Sequence, residues 1–288
     1  MHRSLRFVRA LRPLIAAAFV AALPGCASMR SPEGEVTKPA ARPARPAASS
    51  QTLAEEQQIT DAQRRARMNY QVGVENLRQG RPPQAVAALL EAERWDPHSE
   101  RTQLALAEAY RQQGRNRETE AHLLRALQIN PRYHEAALNL AALYLQTERY
   151  EESIPPLERL LDDPTFPGPW RALTNLGWAE YRLGRLDDAY RHLSLAVDYR
   201  PDHWPARLNL GILESERGNR AEAIAHFQRV LENQPGPSAE AEVRFRLAEQ
   251  LESLGDRRGA VRQLTTARDL EPSGPWTQRS AEFLKSLQ

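Results

Sequence analysis

The chain has 288 residues, 41% of them hydrophobic and 26% charged, with a formal net charge of +2. These values belong to a soluble globular protein of one large domain or two ordinary ones. Residues 1–25 hold four Arg and no acid and residues 26–50 four basic and two acidic groups, which leaves −4 from Gln51 onward. A slightly acidic body lacks the basic footprint of nucleic-acid binding, and that class is excluded.

At the N-terminus, Arg3, Arg6, Arg9 and Arg12 precede an apolar run from Leu14 to Leu23, too short for a stop-transfer helix. The run ends at Leu23-Pro24-Gly25-Cys26, and Cys26 is the only cysteine, so no intramolecular disulfide can form. This tetrapeptide resembles the lipobox cut by bacterial lipoprotein signal peptidase, with Pro24 at a place that usually holds a small residue. The resemblance implies a signal peptide over 1–25 and a lipid-modified Cys26. Ala27, in place of the Asp that retains enterobacterial lipoproteins at the inner membrane, implies the periplasmic face of the outer membrane. Several acyl chains anchor far more firmly than one.

Residues 26–50 are Pro, Ala, Ser and Arg with almost no large apolar side chain, which predicts a disordered tether. Fully extended at roughly 3.1 Å per residue, it reaches on the order of 75 Å.

From Gln51 to the C-terminus the sequence repeats itself. Units begin near Ala66, Glu100, His134, Trp170, Trp204 and Ala241, giving repeats over 66–97, 100–131, 134–165, 170–201, 204–235 and 241–272, with a polar-faced capping helix at 276–287. The common step is 34 residues, and short insertions at Asp162–Pro169 and Gly236–Ser238 lengthen two steps. Each unit has two helical patterns around a turn glycine, Gly80, Gly114, Gly184, Gly218 or Gly255, with Glu148 in that place in the third. Small residues sit where paired helices meet (Gly73, Ala107, Ala141, Gly177, Gly211 and Ala248), and Pro closes each unit. These positions match the tetratricopeptide repeat (TPR) consensus. The resemblance implies an all-α fold, a right-handed α-solenoid of six helix pairs plus the capping helix. One pair cannot bury its apolar face alone, so the pairs must stack. The Pro155-Pro156 pair falls inside a second-helix pattern, where an interior proline costs about 3 kcal/mol. The expectation is a helix that starts late, with both prolines in its first turn.

In TPR proteins the first helix of each repeat lines a concave groove. Asn139, Asn175 and Asn209 fall at one groove position of three consecutive repeats, and resemble the asparagine ladder of O-linked GlcNAc transferase, whose amides grip a peptide backbone. An amide offers both donor and acceptor to a peptide unit; the alternative is a bond to a neighbouring repeat's turn, or solvation. Leu138, Leu145, Trp178, Tyr181, Leu208 and Ile212 fall at further groove positions and predict an exposed apolar patch of the kind that marks a binding site. Arg111, Arg171 and Arg182 stand close enough in sequence to add charge. The carboxylate clamp of chaperone-binding TPR domains is absent, since Tyr70, Val74 and Glu108 occupy its places.

No catalytic constellation is visible. The seven His are scattered without metal-ligand spacing and no Gly-rich phosphate loop occurs, so neither an enzyme, a metal, a cofactor nor a small-molecule substrate is expected. Lipobox, tether and six repeats together resemble the type IV pilus pilotins (PilF/PilW/Tgl type), which assist outer-membrane secretin assembly. The run Leu161-Asp162-Asp163-Pro164-Thr165-Phe166-Pro167-Gly168-Pro169-Trp170, then Asn175-Leu176-Gly177-Trp178, carries that resemblance; Ala179 stands where the family often has Cys. It implies a secretin subunit as the groove's partner. Two alternatives stay open: an NlpI-like envelope adaptor docking cell-wall enzymes, or a structural scaffold of a motility or secretion apparatus.

Overall fold

Ala, Leu, Arg, Glu and Gln dominate from Asp61 onward, and all are strong helix formers. The computed structural model describes residues 61–270 and 274–287, and these form thirteen α-helices with no strand among them. The expected signal peptide, Cys26, the tether, residues 51–60 and Pro272 lie outside the described residues.

The described chain falls into two compact units, 61–136 and 137–287. The first unit contains α1 (Asp61–Arg78), α2 (Pro82–Trp95), α3 (Glu100–Gln112) and α4 (Asn116–Ile129), and α5 (His134–Gln146) begins at its end. Its core joins Leu89 and Ala85 of α2 to Leu106, Ala109 and Tyr110 of α3, with Tyr70, Val74 and Leu77 of α1 packed alongside. Gly73 lets α1 approach α2 so closely that a Cβ there would stand 2.5 Å from Leu89 Cγ.

The second unit continues through α6 (Tyr150–Asp162), α7 (Pro169–Arg182), α8 (Leu186–Tyr199), α9 (Trp204–Arg217), α10 (Arg220–Glu232), α11 (Pro237–Ser253), α12 (Arg257–Leu270) and α13 (Pro275–Ser286). Each first helix packs on its own second helix, α7 on α8, α9 on α10 and α11 on α12, and successive first helices also touch, α7 to α9 and α9 to α11. Leu193, Leu213, Phe227 and Val230 fill the centre of the stack and are fully buried. α13 closes it by laying Trp276 against Ala241, Ala267 and Phe245, and Phe283 and Leu284 against Leu264.

Two local expectations are revised. α6 does not start late: it begins at Tyr150, and Pro155 and Pro156 lie inside it. Tyr150, Ser153, Pro156, Leu157 and Leu160 form one continuous buried face across the prolines. The two carbonyls that lose an amide partner belong to Glu151 and Glu152, which are exposed and in reach of water. Burying a Leu yields about 1.5–3 kcal/mol, and Leu157 and Leu160 together offset the broken bonds. The second revision concerns the start of the last repeat, expected near Ala241: Pro237, within the insertion, opens α11 one turn earlier.

Candidate peptide-binding face

The 34-residue period places Asn139 on α5, Asn175 on α7 and Asn209 on α9, each one residue before the Leu that precedes the small residue of the close contact. All three are half-buried. None of their side-chain amides has a hydrogen-bond partner among the described residues. That separates them from Asn69 and Asn76 of α1 and from Asn233 at the C-cap of α10. Asn69, Asn76 and Asn233 each donate to the carbonyl four residues earlier, at 3.0, 3.0 and 3.1 Å. Such back-bonding is the ordinary use of an Asn within a helix. Among the described residues the three ladder amides make no bond to a neighbouring repeat's turn, which leaves solvation or a ligand as their partner.

The apolar part of the expected groove requires correction. Leu138, Leu145, Trp178, Tyr181, Leu208 and Ile212 are all buried, between 1% and 9% exposed. Five of them, Leu145, Trp178, Tyr181, Leu208 and Ile212, share one hydrophobic cluster with Leu193 and Phe227. The cause is the direct contact between successive first helices, which turns these positions into a seam. They hold the stack together and do not form an open patch.

The polar ends of the seam remain accessible. Tyr181 donates its hydroxyl to Glu216 Oε1 at 2.6 Å, linking the C-terminal turns of α7 and α9. Burial first, and then this acceptor, push the Tyr181 phenol well above its usual pKa. The Arg182 guanidinium lies over the Tyr150 ring at 4.6 Å and at 5.7 Å from the Trp178 centroid, with Glu148 3.9 Å away. Arg171 is half-buried at the start of α7. Arg111 belongs to the other unit and is held by Glu108 at 2.7 Å.

Extending the ladder position into the next first helix reaches Arg246 on α11, which sequence reasoning passed over. Its guanidinium donates twice to Glu242, at 2.9 and 2.7 Å. One turn on, Glu249 receives no hydrogen bond among the described residues. Its carboxylate lies in dense surroundings facing Arg246 and Arg279, and desolvation raises its pKa despite both cations. Counting six residues from Ala241 would have found Arg246; the state of Glu249 has no sequence signal. Among the described residues no three His, Cys, Asp or Glu gather as metal ligands, and no helix is long and apolar enough to cross a membrane.

The Tetratricopeptide repeat family model matches residues 70–133, 104–168, 138–196 and 174–239, more than half of the chain in all. The chain belongs to the tetratricopeptide-repeat family. Its fold is also that of several solved structures. The crystal structure of PilW, described as a widely conserved type IV pilus biogenesis factor, superposes with a TM-score of 0.67 at 23% identity, covering 74% of this chain and 97% of that one. PilF of Pseudomonas aeruginosa gives 0.64 at 18% identity, covering 78% and 100%. MamA from Desulfovibrio magneticus RS-1 gives 0.55 at 22% identity, covering 62% and 98%. A search of curated protein sequences finds no match. The repeat array is thus a protein-interaction scaffold of the PilF/PilW-like type in its fold.

Proposed function

We propose that this protein is a non-catalytic scaffold, lipid-anchored through Cys26 at the periplasmic face of the outer membrane, that assists secretin assembly for type IV pilus biogenesis. The observation that carries the binding part is the row of unpaired amides at Asn139, Asn175 and Asn209. A half-buried amide without a protein partner is ready to exchange its water for the peptide units of an extended segment. The fold likeness to PilW and PilF supports the pilus assignment, and the lipobox-like Leu23-Pro24-Gly25-Cys26 supports the anchor.

The test is the triple variant Asn139→Ala/Asn175→Ala/Asn209→Ala, expressed in the native envelope and assayed for secretin multimers. Each lost hydrogen bond costs roughly 1 kcal/mol, so the triple should weaken capture far more than any single change. Because none of the amides bonds to a described residue, helicity and protein level should hold. Normal multimers with normal folding would remove the ladder from the mechanism. Trp178→Ala is unsuitable here, because Trp178 is buried and its loss would collapse the seam. Cys26→Ser tests the anchor separately: the variant should leave the membrane fraction, and retention there would show that acylation is not what holds it.

A further inference from the structure

Arg182 ends the stripe of α7 that carries Asn175 and Trp178, seven residues and two helical turns beyond Asn175. Its guanidinium lies over the Tyr150 ring at 4.6 Å and 5.7 Å from the Trp178 centroid, and only 27% of the side chain is exposed. Helical side chains lean toward the N-terminus, so the cation reaches back toward the ladder. Its donors are idle. Among the described residues no carboxylate, carbonyl or hydroxyl accepts a hydrogen bond from it. Glu148, 73% exposed, comes to 3.9 Å, which is too far for one. Other stacked arginines differ. Arg115, Arg149, Arg200, Arg217 and Arg246 each lie over an aromatic ring and each also donate to a carboxylate, as Arg217 does to Asp187 at 2.6 Å. Arg65, over Trp95, has no such acceptor, but it is exposed to water. A guanidinium that is mostly covered, held by its face and unserved at its edge is short of acceptors.

Resting on the reading of the ladder as a backbone clamp, we infer that Arg182 is the side-chain site of this face, receiving the carboxylate of an Asp or Glu in the extended segment whose backbone meets Asn175. The ring under Arg182 occupies the flat face of the guanidinium and leaves its N–H edge open. A carboxylate meets such an edge with two parallel bonds, and these charge-assisted bonds are stronger than neutral ones. The body from Gln51 onward carries −4, so the overall charge disfavours an acidic segment and the preference is local to Arg182. Glu148 competes only as a surface partner, and an incoming carboxylate displaces it. The amides read no side chain, so the ladder holds any extended chain and Arg182 sets the register.

The experiment uses the full chain in detergent and a positional-scanning library of ten-residue peptides, acetylated and amidated so that only a side chain can supply the carboxylate. Hits containing Glu are compared with the same peptides carrying Gln, which has the shape of glutamate without its charge. The expected result is selection of Asp or Glu at one position. Affinity should fall about tenfold or more on Glu→Gln in the peptide, and Arg182→Gln should abolish the difference. Arg182→Lys, which keeps the charge without the fork, should retain a smaller preference. Glu148→Gln leaves every packed residue in place and should raise the affinity of acidic hits about twofold, the size of a surface pair. If hits show no acidic preference yet weaken in the triple Asn→Ala variant, the Arg182 site is overturned and the clamp stands. An acidic preference that survives in Arg182→Gln, with helicity unchanged, also overturns the site. If no peptide binds the wild type better than the triple variant, the clamp fails and this inference falls with it.

Discussion

Tyr181 and Glu216 lie 35 residues apart in the chain and are joined by a 2.6 Å hydrogen bond, hydroxyl to carboxylate, which ties α7 to α9. The bond needs the phenol proton. Burial and Glu216 hold the Tyr181 pKa far up, and burial pushes Tyr133 up to about 12. An unfolded tyrosine ionises near pH 10. Above that pH the unfolded chain has lost these protons while the folded chain keeps them, so the folded state binds more protons and loses stability as pH rises. Stability is complete below about pH 10 and should decline steadily above it. Urea titrations across pH 9–12 test this, and Tyr181→Phe should flatten part of the slope. At neutral pH the same variant should cost about 1 kcal/mol, because Glu216 is exposed and recovers water.

On the acid side His203 governs. Burial first, then Arg200 and Arg171, lower its pKa to about 4, and burial also lowers those of His122 and His226. Between an ordinary value near 6.5 and about 4, the unfolded chain takes protons that the folded chain refuses. Stability is therefore full above about pH 6.5 and falls as pH drops toward 4. Each such group contributes at most about 1.4 kcal/mol per pH unit, less where water reaches the ring. Thermal melts from pH 7 to 4 should show the loss, and His203→Gln should make the curve shallower.

Gly211 faces Phe227 across the α9–α10 contact, and a Cβ built there would lie 2.5 Å from Phe227 Cε1. Phe227 is fully buried and has no room to retreat. Gly211→Leu should destabilise by about 1–3 kcal/mol through overpacking. Pairing it with Phe227→Leu should recover part of that. The unfolding midpoint reads both.

Glu148 stands at φ 61, where the other repeats place glycine, as Gly218 does at φ 83. A side chain in that left-handed region costs roughly 1–2 kcal/mol. Against this stands only its 3.9 Å approach to Arg182, with Glu148 73% exposed, and surface pairs are worth about 0–1 kcal/mol. Strain wins. Glu148→Gly should raise the unfolding midpoint, by an amount near 1 kcal/mol once the larger backbone entropy of glycine is deducted.

The Tyr150 hydroxyl is buried with no hydrogen-bond partner among the described residues. Leaving such a group unpaired costs about 1–3 kcal/mol. Tyr150→Phe keeps the ring under Arg182 and removes the orphan, so it should be neutral or stabilising in denaturant melts. A marked loss would reveal an unseen partner for the hydroxyl.

What the sequence determined alone was whatever local spacing controls. Proline positions, the turn glycines and the small residues Gly73, Gly177 and Gly211 recur on a period near 34. Such signals act within one helix pair, so the all-α repeat architecture was legible from them. The ladder position was legible for the same reason, because three asparagines at one register need no knowledge of the neighbours. Burial was not. Whether Trp178 or Ile212 faces solvent depends on how closely α7 and α9 approach, and that distance is set by every residue along the contact. Only the tertiary structure decided that these side chains form a seam and that the buried face of α6 carries the helix through Pro155 and Pro156. Each of those outcomes is a balance of packing and desolvation between elements distant in sequence, and no pattern within a single repeat encodes it.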